Sequence, residues 1–338
     1  MGTMTSRQRL RTIISGQPAD RCGFWLGMPH VDSWPAYHRY FGTTTQEEVR
    51  AKLGDEFRWI CPEWSAYGHP QGQPMWHNPR ASHDLSSPGV FAECESVQQV
   101  HDHPWPNPDY LDFTVAVDAL ANAGDVYRAS AMWCCFFHIV ADFFGMENYF
   151  VRMYTHPEIV HAVTTHVVDF YREANRRFYA QAGTQADGAF FGNDFGSQLD
   201  LLISPQQAGE FILPYYAGLI TDARTAGYQV LLHSCGSIHR VIPSLIDLGV
   251  SALHPLQAKA SCMDAATLSR DFKGRLAFIG AIDTQDLLIN ATPEQVKAEV
   301  RRVKALLGPA YIVSPSHECL LPNVPAANVE AMAQAARE

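Results

Sequence analysis

The chain has no run approaching the ~20 apolar residues needed to cross a bilayer. Met1 to Gln17 contains no continuous apolar stretch of the secretory kind. A membrane protein is thereby disfavoured and a cytoplasmic one expected. Charge is also scarce, at 18% of residues, and acidic residues exceed basic ones by 35 to 25. The basic residues are scattered rather than clustered, so neither a nucleic-acid surface nor an anionic-membrane surface is expected. There is no GxGxxG fingerprint, which removes the usual support for a dinucleotide-binding fold. No low-complexity linker divides the 338 residues. The low charge does not signal disorder, because a hydrophobic share of 47% can bury a large core. The eight cysteines (22, 61, 94, 134, 135, 235, 262 and 319) occur in a long chain for which no secretory leader is expected. They read as free thiols or ligands rather than a disulfide framework.

What is present is a sustained alternation of β-like and helical segments. Thr5-Ser6-Arg7-Gln8 fits a capping box opening a helix to about Ile14 that stops at Gly16. Thr155-His156-Pro157-Glu158 reads as a second box, with a helix to about Gln181. Ser204-Pro205-Gln206-Gln207 reads as a third, with a helix to about Ala226 kinked at Pro214. Strands are expected at 188–194, 229–233, 252–257, 276–282 and 311–315, each followed by a helix, with further strands near 24, 57 and 127. Eight strands alternating with helices predict a single-domain (β/α)8 barrel across 1–338; a doubly wound open sheet is the alternative. Residues 1–110 form an aromatic-rich elaboration, with a hairpin or lid expected around 68–95. Within it Trp25, His30, Trp34 and Tyr37 are candidates for closing over a small substrate.

In such a barrel, catalytic side chains stand at the C-terminal strand ends. Here those ends read Asp194, then His233 with Cys235, His254 with Gln257, Asp283, and Ser314 to Cys319. His233 and Cys235 are two residues apart, so on an extended segment they share a face and can converge on one ion. Imidazole and thiolate together favour zinc over magnesium or calcium. The third ligand should come from another strand end. Cys319 is the leading candidate, ahead of Cys262, His254 and His317. Asp194 and Asp283 are candidates for general acid–base groups, a fourth ligand or anchors of His233, and His254 for a catalytic role. Gln257 and His317 are candidates for binding substrate. A zinc held by two thiolates and an imidazole suits the capture of a substrate thiol, and so alkyl transfer rather than hydrolysis.

Six stretches together resemble the uroporphyrinogen decarboxylase superfamily from about Asp20 onward: FFGMENY (143–149), GNDFGSQ (192–198), LLISPQQAGEFILPYY (201–216), HSCG (233–236), FIGAIDTQDLL (278–288) and SPSHECLLPNVPAANVEAM (314–332). The resemblance implies a (β/α)8 barrel. Porphyrinogen decarboxylases carry a RQAGR-type run, whereas FWLGMPHVDSWPAYHRYFG holds only Arg39. The other branch comprises zinc- and cobalamin-linked methyltransferases, several of which bind zinc through His-x-Cys and a late Cys. His233, Cys235 and Cys319 match that pattern, although the loop reads SHECLLP instead of the GCG type. The resemblance therefore implies methyl transfer between a corrinoid cobalt and a thiol, methoxy or methylamine compound. No DxHxxG-type corrinoid motif is present, so the corrinoid is expected on a separate protein or free. Family analogy also points to a homodimer. The alternatives are a metal-free porphyrinogen decarboxylase and a non-catalytic corrinoid-binding barrel.

Overall fold

The computed structural model describes residues 3–79, 82, 84 and 86–338. Eight strands form one parallel sheet: β1 (Gly23–Phe24), β2 (Phe57–Trp59), β3 (Tyr127–Ser130), β4 (Gly188–Gly192), β5 (Gln229–His233), β6 (Ala252–His254), β7 (Ala277–Ile282) and β8 (Tyr311–Pro315). Their order, β1-β8-β7-β6-β5-β4-β3-β2, brings the two ends of the sheet around toward each other. At the seam the Glu56 N–H donates to the Phe24 carbonyl at 3.0 Å. This is the expected barrel; the open, doubly wound alternative is ruled out. Among the described residues no helix is long and apolar enough to cross a membrane.

The strands are apolar on both faces, as parallel strands covered by helices must be. Along β5, Val230 and Leu232 pack toward the helical shell while Leu231 joins Trp25, Phe57 and Phe190 inside the barrel. The period of two then carries His233 inward above Leu231. The helix Ser6–Ile14 starts at the predicted Thr5 capping box. It inserts Leu10, Ile13 and Ile14 into the interior cluster, closing the end opposite the mouth.

The polar side of that first helix is tied down by ion pairs. Arg9 is paired with Asp20 and with buried Glu56, and Arg7 and Arg11 meet Asp187, whose side chain is completely buried. Asp187 also accepts the Arg128 N–H at 3.0 Å. Asp187→Ala removes a charged acceptor from three donors. Because Arg11 is about half exposed, the expected loss is moderate, about 2 kcal/mol, read as a lower urea midpoint at unchanged slope.

Several expectations are corrected. Thr155 does not cap the long helix: it ends the preceding one, Met146–Thr155, where its hydroxyl bonds back to the Val151 carbonyl at 3.3 Å. The helix Pro157–Ala182 begins without a side-chain cap. Pro214 does more than kink its helix, since the chain splits into Pro205–Phe211 and Leu213–Thr225. The hairpin expected at 68–95 includes residues 80, 81, 83 and 85, which lie outside the described residues. The described remainder forms turns, flanked by a Tyr67–Leu111 bridge. The strands at 188–194 and 252–257 stop at Gly192 and His254. Asp194 and Gln257 therefore stand on the loops that frame the mouth.

Candidate metal centre at the barrel mouth

After β5 the chain turns through Ser234, Cys235 and Gly236, and neighbouring loops satisfy each backbone donor. Ser234 N–H reaches the His254 carbonyl at 2.9 Å, Cys235 N–H reaches Asp194 Oδ1 at 2.8 Å, and Gly236 N–H reaches Gln257 Oε1 at 2.9 Å. Gly236 has φ +80°, and a Cβ there would lie 2.2 Å from the Gly196 carbonyl oxygen, so only glycine permits this approach of the two loops. The turn directs Cys235 Sγ to 3.4 Å from His233 Nε2, with Asp194 Oδ1 3.3 Å from the same nitrogen. Asp194, His233 and Cys235 thus offer one ligand atom each within 4.8 Å of one another.

The electrostatics favour a cation at this point. Burial disfavours a charged His233, yet its bonds to Asp194 and Cys235 and the nearby Glu318 carboxylate raise its pKa well above the ordinary value. Burial likewise opposes ionisation of Asp194, but His233 and the Cys235 N–H hold it below the usual carboxylate range. His254, whose Nδ1 lies 3.0 Å from His233 Nδ1, is kept neutral by burial and by that neighbour. Without a metal, a proton on His233 satisfies the cluster, and a divalent ion satisfies the same donors when they are deprotonated.

Among the predicted site residues, the structure brings together Asp194, His233, Cys235, His254, Gln257 and His317, whose bond to Cys235 raises its pKa. His317 and Cys319 line an adjoining cavity of about 510 Å³, which Gln257 also borders. Cys319 belongs to neither donor group, and its place beside His233 is taken by Glu318, which the sequence reading missed. Asp283 is a turn cap: its oxygens accept the N–H groups of Gln285, Asp286 and Leu287, and Lys259 Nζ lies 3.3 Å away. Trp25, Trp34 and Tyr37 do not close over a substrate. Trp25 is sealed inside the barrel against Phe57 and His254, with ring centroids at 4.5 and 4.9 Å. Trp34 and Tyr37 pack into the helical shell, and His30 caps a short 3-10 turn. Cys262 is exposed and lies in neither donor group.

The loop after β3 supplies a wall that sequence reasoning also missed. Ala131 and Cys134 have φ +88° and +56°, values a side chain resists. They are held by hydrogen bonds from Met132 N–H to Asn175, from Trp133 N–H to Glu63, and from Asn193 to the Cys134 carbonyl. Trp133 is thereby fixed with its ring 5.2 Å from that of His233 and 4.5 Å from that of Trp59. A Cβ on Gly192 would lie 1.8 Å from the Trp133 ring, so that glycine leaves the space the indole fills. Backbone strain of this kind, locked by surrounding polar groups, is a mark of functional sites.

A family model described as uroporphyrinogen decarboxylase (URO-D) matches residues 129–338, more than half of the chain. The chain belongs to the uroporphyrinogen decarboxylase family. No curated protein matches this family member. Among solved structures it is similar to a methyltransferase from Methanosarcina mazei, at 16% identity, with a TM-score of 0.68 and coverage of 99% of this chain and 98% of that one. At that identity the likeness shows a shared fold. Within the family match fall all three donors, the β8 loop and Trp133.

Proposed function

We propose that this protein is a zinc-dependent methyltransferase that moves a methyl group between a small substrate and a corrinoid cobalt, the corrinoid being delivered by a separate protein. The observation that carries the reading is the convergence of imidazole, thiolate and carboxylate donors at Asp194, His233 and Cys235 beside an open cavity at the mouth. This donor set fits zinc, which takes nitrogen, sulfur and carboxylate oxygen ligands and in catalytic sites leaves one position for substrate. The name of the solved neighbour agrees with methyl transfer, and the single arginine between Phe24 and Gly42 argues against a porphyrinogen bearing many carboxylates.

Zinc bound there would hold a substrate thiol as thiolate, or polarise a methoxy or methylamine leaving group. The chain's own residues do the positioning. His233 and Cys235 present their donor atoms from one turn, and Gln257 holds that turn through Gly236 N–H. Asp194 holds the Cys235 backbone and faces His233 Nε2. His317 and Cys319 face the cavity where a small methyl donor or acceptor would bind. Trp133, fixed edge-on against His233, supplies an apolar wall beside that ring.

The test is elemental analysis of the purified protein together with methyl exchange against methylcobalamin and a panel of thiols, methoxy compounds and methylamines. About one zinc per chain and methyl transfer with one substrate class are expected. A metal-free protein that exchanges no methyl group would overturn the reading.

A further inference from the structure

The β8 loop carries Glu318 and Cys319 side by side, and the fold sends them in different directions. The loop is stitched to the segment after β1 by three hydrogen bonds: Met28 N–H to the Glu318 carbonyl at 2.7 Å, His30 N–H to the Leu320 carbonyl at 2.9 Å, and Ser33 Oγ–H to the same carbonyl at 2.8 Å. Gly27 makes the close approach possible. It has φ +81°, and a Cβ on it would lie 2.5 Å from the Glu318 carbonyl oxygen. Held in this way, Glu318 places its Oε2 3.6 Å from His233 Nδ1 and 3.8 Å from His317 Nδ1, beyond hydrogen-bond length, within a second group of close donors formed by His233, His254 and Glu318, in which His254 Nδ1 lies 3.0 Å from the same His233 nitrogen. That oxygen is buried and has no hydrogen-bond partner of its own. Cys319 turns instead to the cavity.

We infer that Glu318 is the positioning residue of the metal centre, the carboxylate that in the metal-bound state accepts the His233 Nδ1–H in preference to His254 Nδ1 and so leaves Nε2, the nitrogen facing Cys235 and Asp194, to the metal. The inference rests on the zinc reading above. A histidine ligand that gives its other N–H to a carboxylate is fixed in tautomer and ring orientation, and becomes a more basic donor. Three observations converge on this role: a buried carboxylate oxygen without a hydrogen-bond partner, its approach to the ring nitrogen that does not face Cys235, and a backbone pinned by the segment that follows the neighbouring strand β1. The dependence of the site on the β8 loop therefore runs through Glu318, while Cys319 serves the substrate cavity.

The experiment compares wild type, Glu318→Gln, Glu318→Asp and Cys319→Ser, with zinc affinity measured by chelator competition and the visible spectrum recorded after cobalt(II) substitution. Thermal melting of the metal-free forms is followed in parallel. Glu318→Gln is expected to weaken zinc roughly 10–100-fold, the usual cost of losing such a partner, with the metal-free melting point unchanged. Glu318→Asp is expected to recover part of the affinity, and Cys319→Ser to keep both full zinc and the wild-type cobalt spectrum. Wild-type affinity in Glu318→Gln, or loss of zinc in Cys319→Ser alone, overturns the assignment of Glu318. A wild-type protein that binds no zinc at all overturns the parent reading instead, so the two failures are distinguishable.

Discussion

Cys235→Ser is expected to abolish metal retention and methyl transfer together while leaving the fold intact. The hydroxyl is close in size to the thiol but remains protonated at neutral pH, so it offers zinc no anionic donor. Loss of an outer partner already costs roughly 10–100-fold in metal affinity, and loss of a direct donor is expected to exceed that. Cys235 is only partly buried, and its backbone N–H bond to Asp194 does not depend on the side chain. Urea unfolding of the metal-free variant should therefore match that of metal-free wild type. Zinc content, chelator competition and methyl exchange form the readout. A serine variant that keeps stoichiometric zinc and full activity would move the chemistry away from this turn.

The contrast between Cys235 and its neighbours shows which parts of such a site can be read from a sequence. His233 and Cys235 were legible because a strand's period of two is local, and Leu231 is an interior residue directly below them. The barrel itself was legible for a similar reason, since repeated apolar runs followed by capped helices admit few topologies. Glu318 was not, because which of two adjacent loop residues turns toward His233 is decided by Gly27 and Met28, almost three hundred positions away in the chain. Asp283 has a local explanation instead. An Asp just before a helix is a cap by default, and three backbone N–H groups take up its carboxylate. Trp133 gave no periodic signal at all, since its place depends on the vacancy at Gly192 and on a buried glutamate from the loop after β2.

Trp25 separates a reading based on residue type from one based on position. A tryptophan in an aromatic-rich N-terminal region invites assignment to a substrate pocket, yet its ring is fully buried between Phe57, Phe190 and His254, beneath the candidate metal centre. Trp25→Ala removes a fully buried indole from the barrel interior and leaves a void that strands on all sides cannot collapse to fill. The expected cost is about 3–5 kcal/mol, the range for truncating a buried aromatic residue. It should appear as a markedly lower urea midpoint. Trp25→Phe keeps a ring against Phe57 and removes an indole N–H that has no partner, so it is expected to cost far less. If Trp25 contacted substrate instead, the alanine variant would raise KM and leave the unfolding midpoint near that of wild type. The order of effects expected here is the reverse: stability falls first, and zinc affinity follows because the floor beneath His254 and His233 has lost its support.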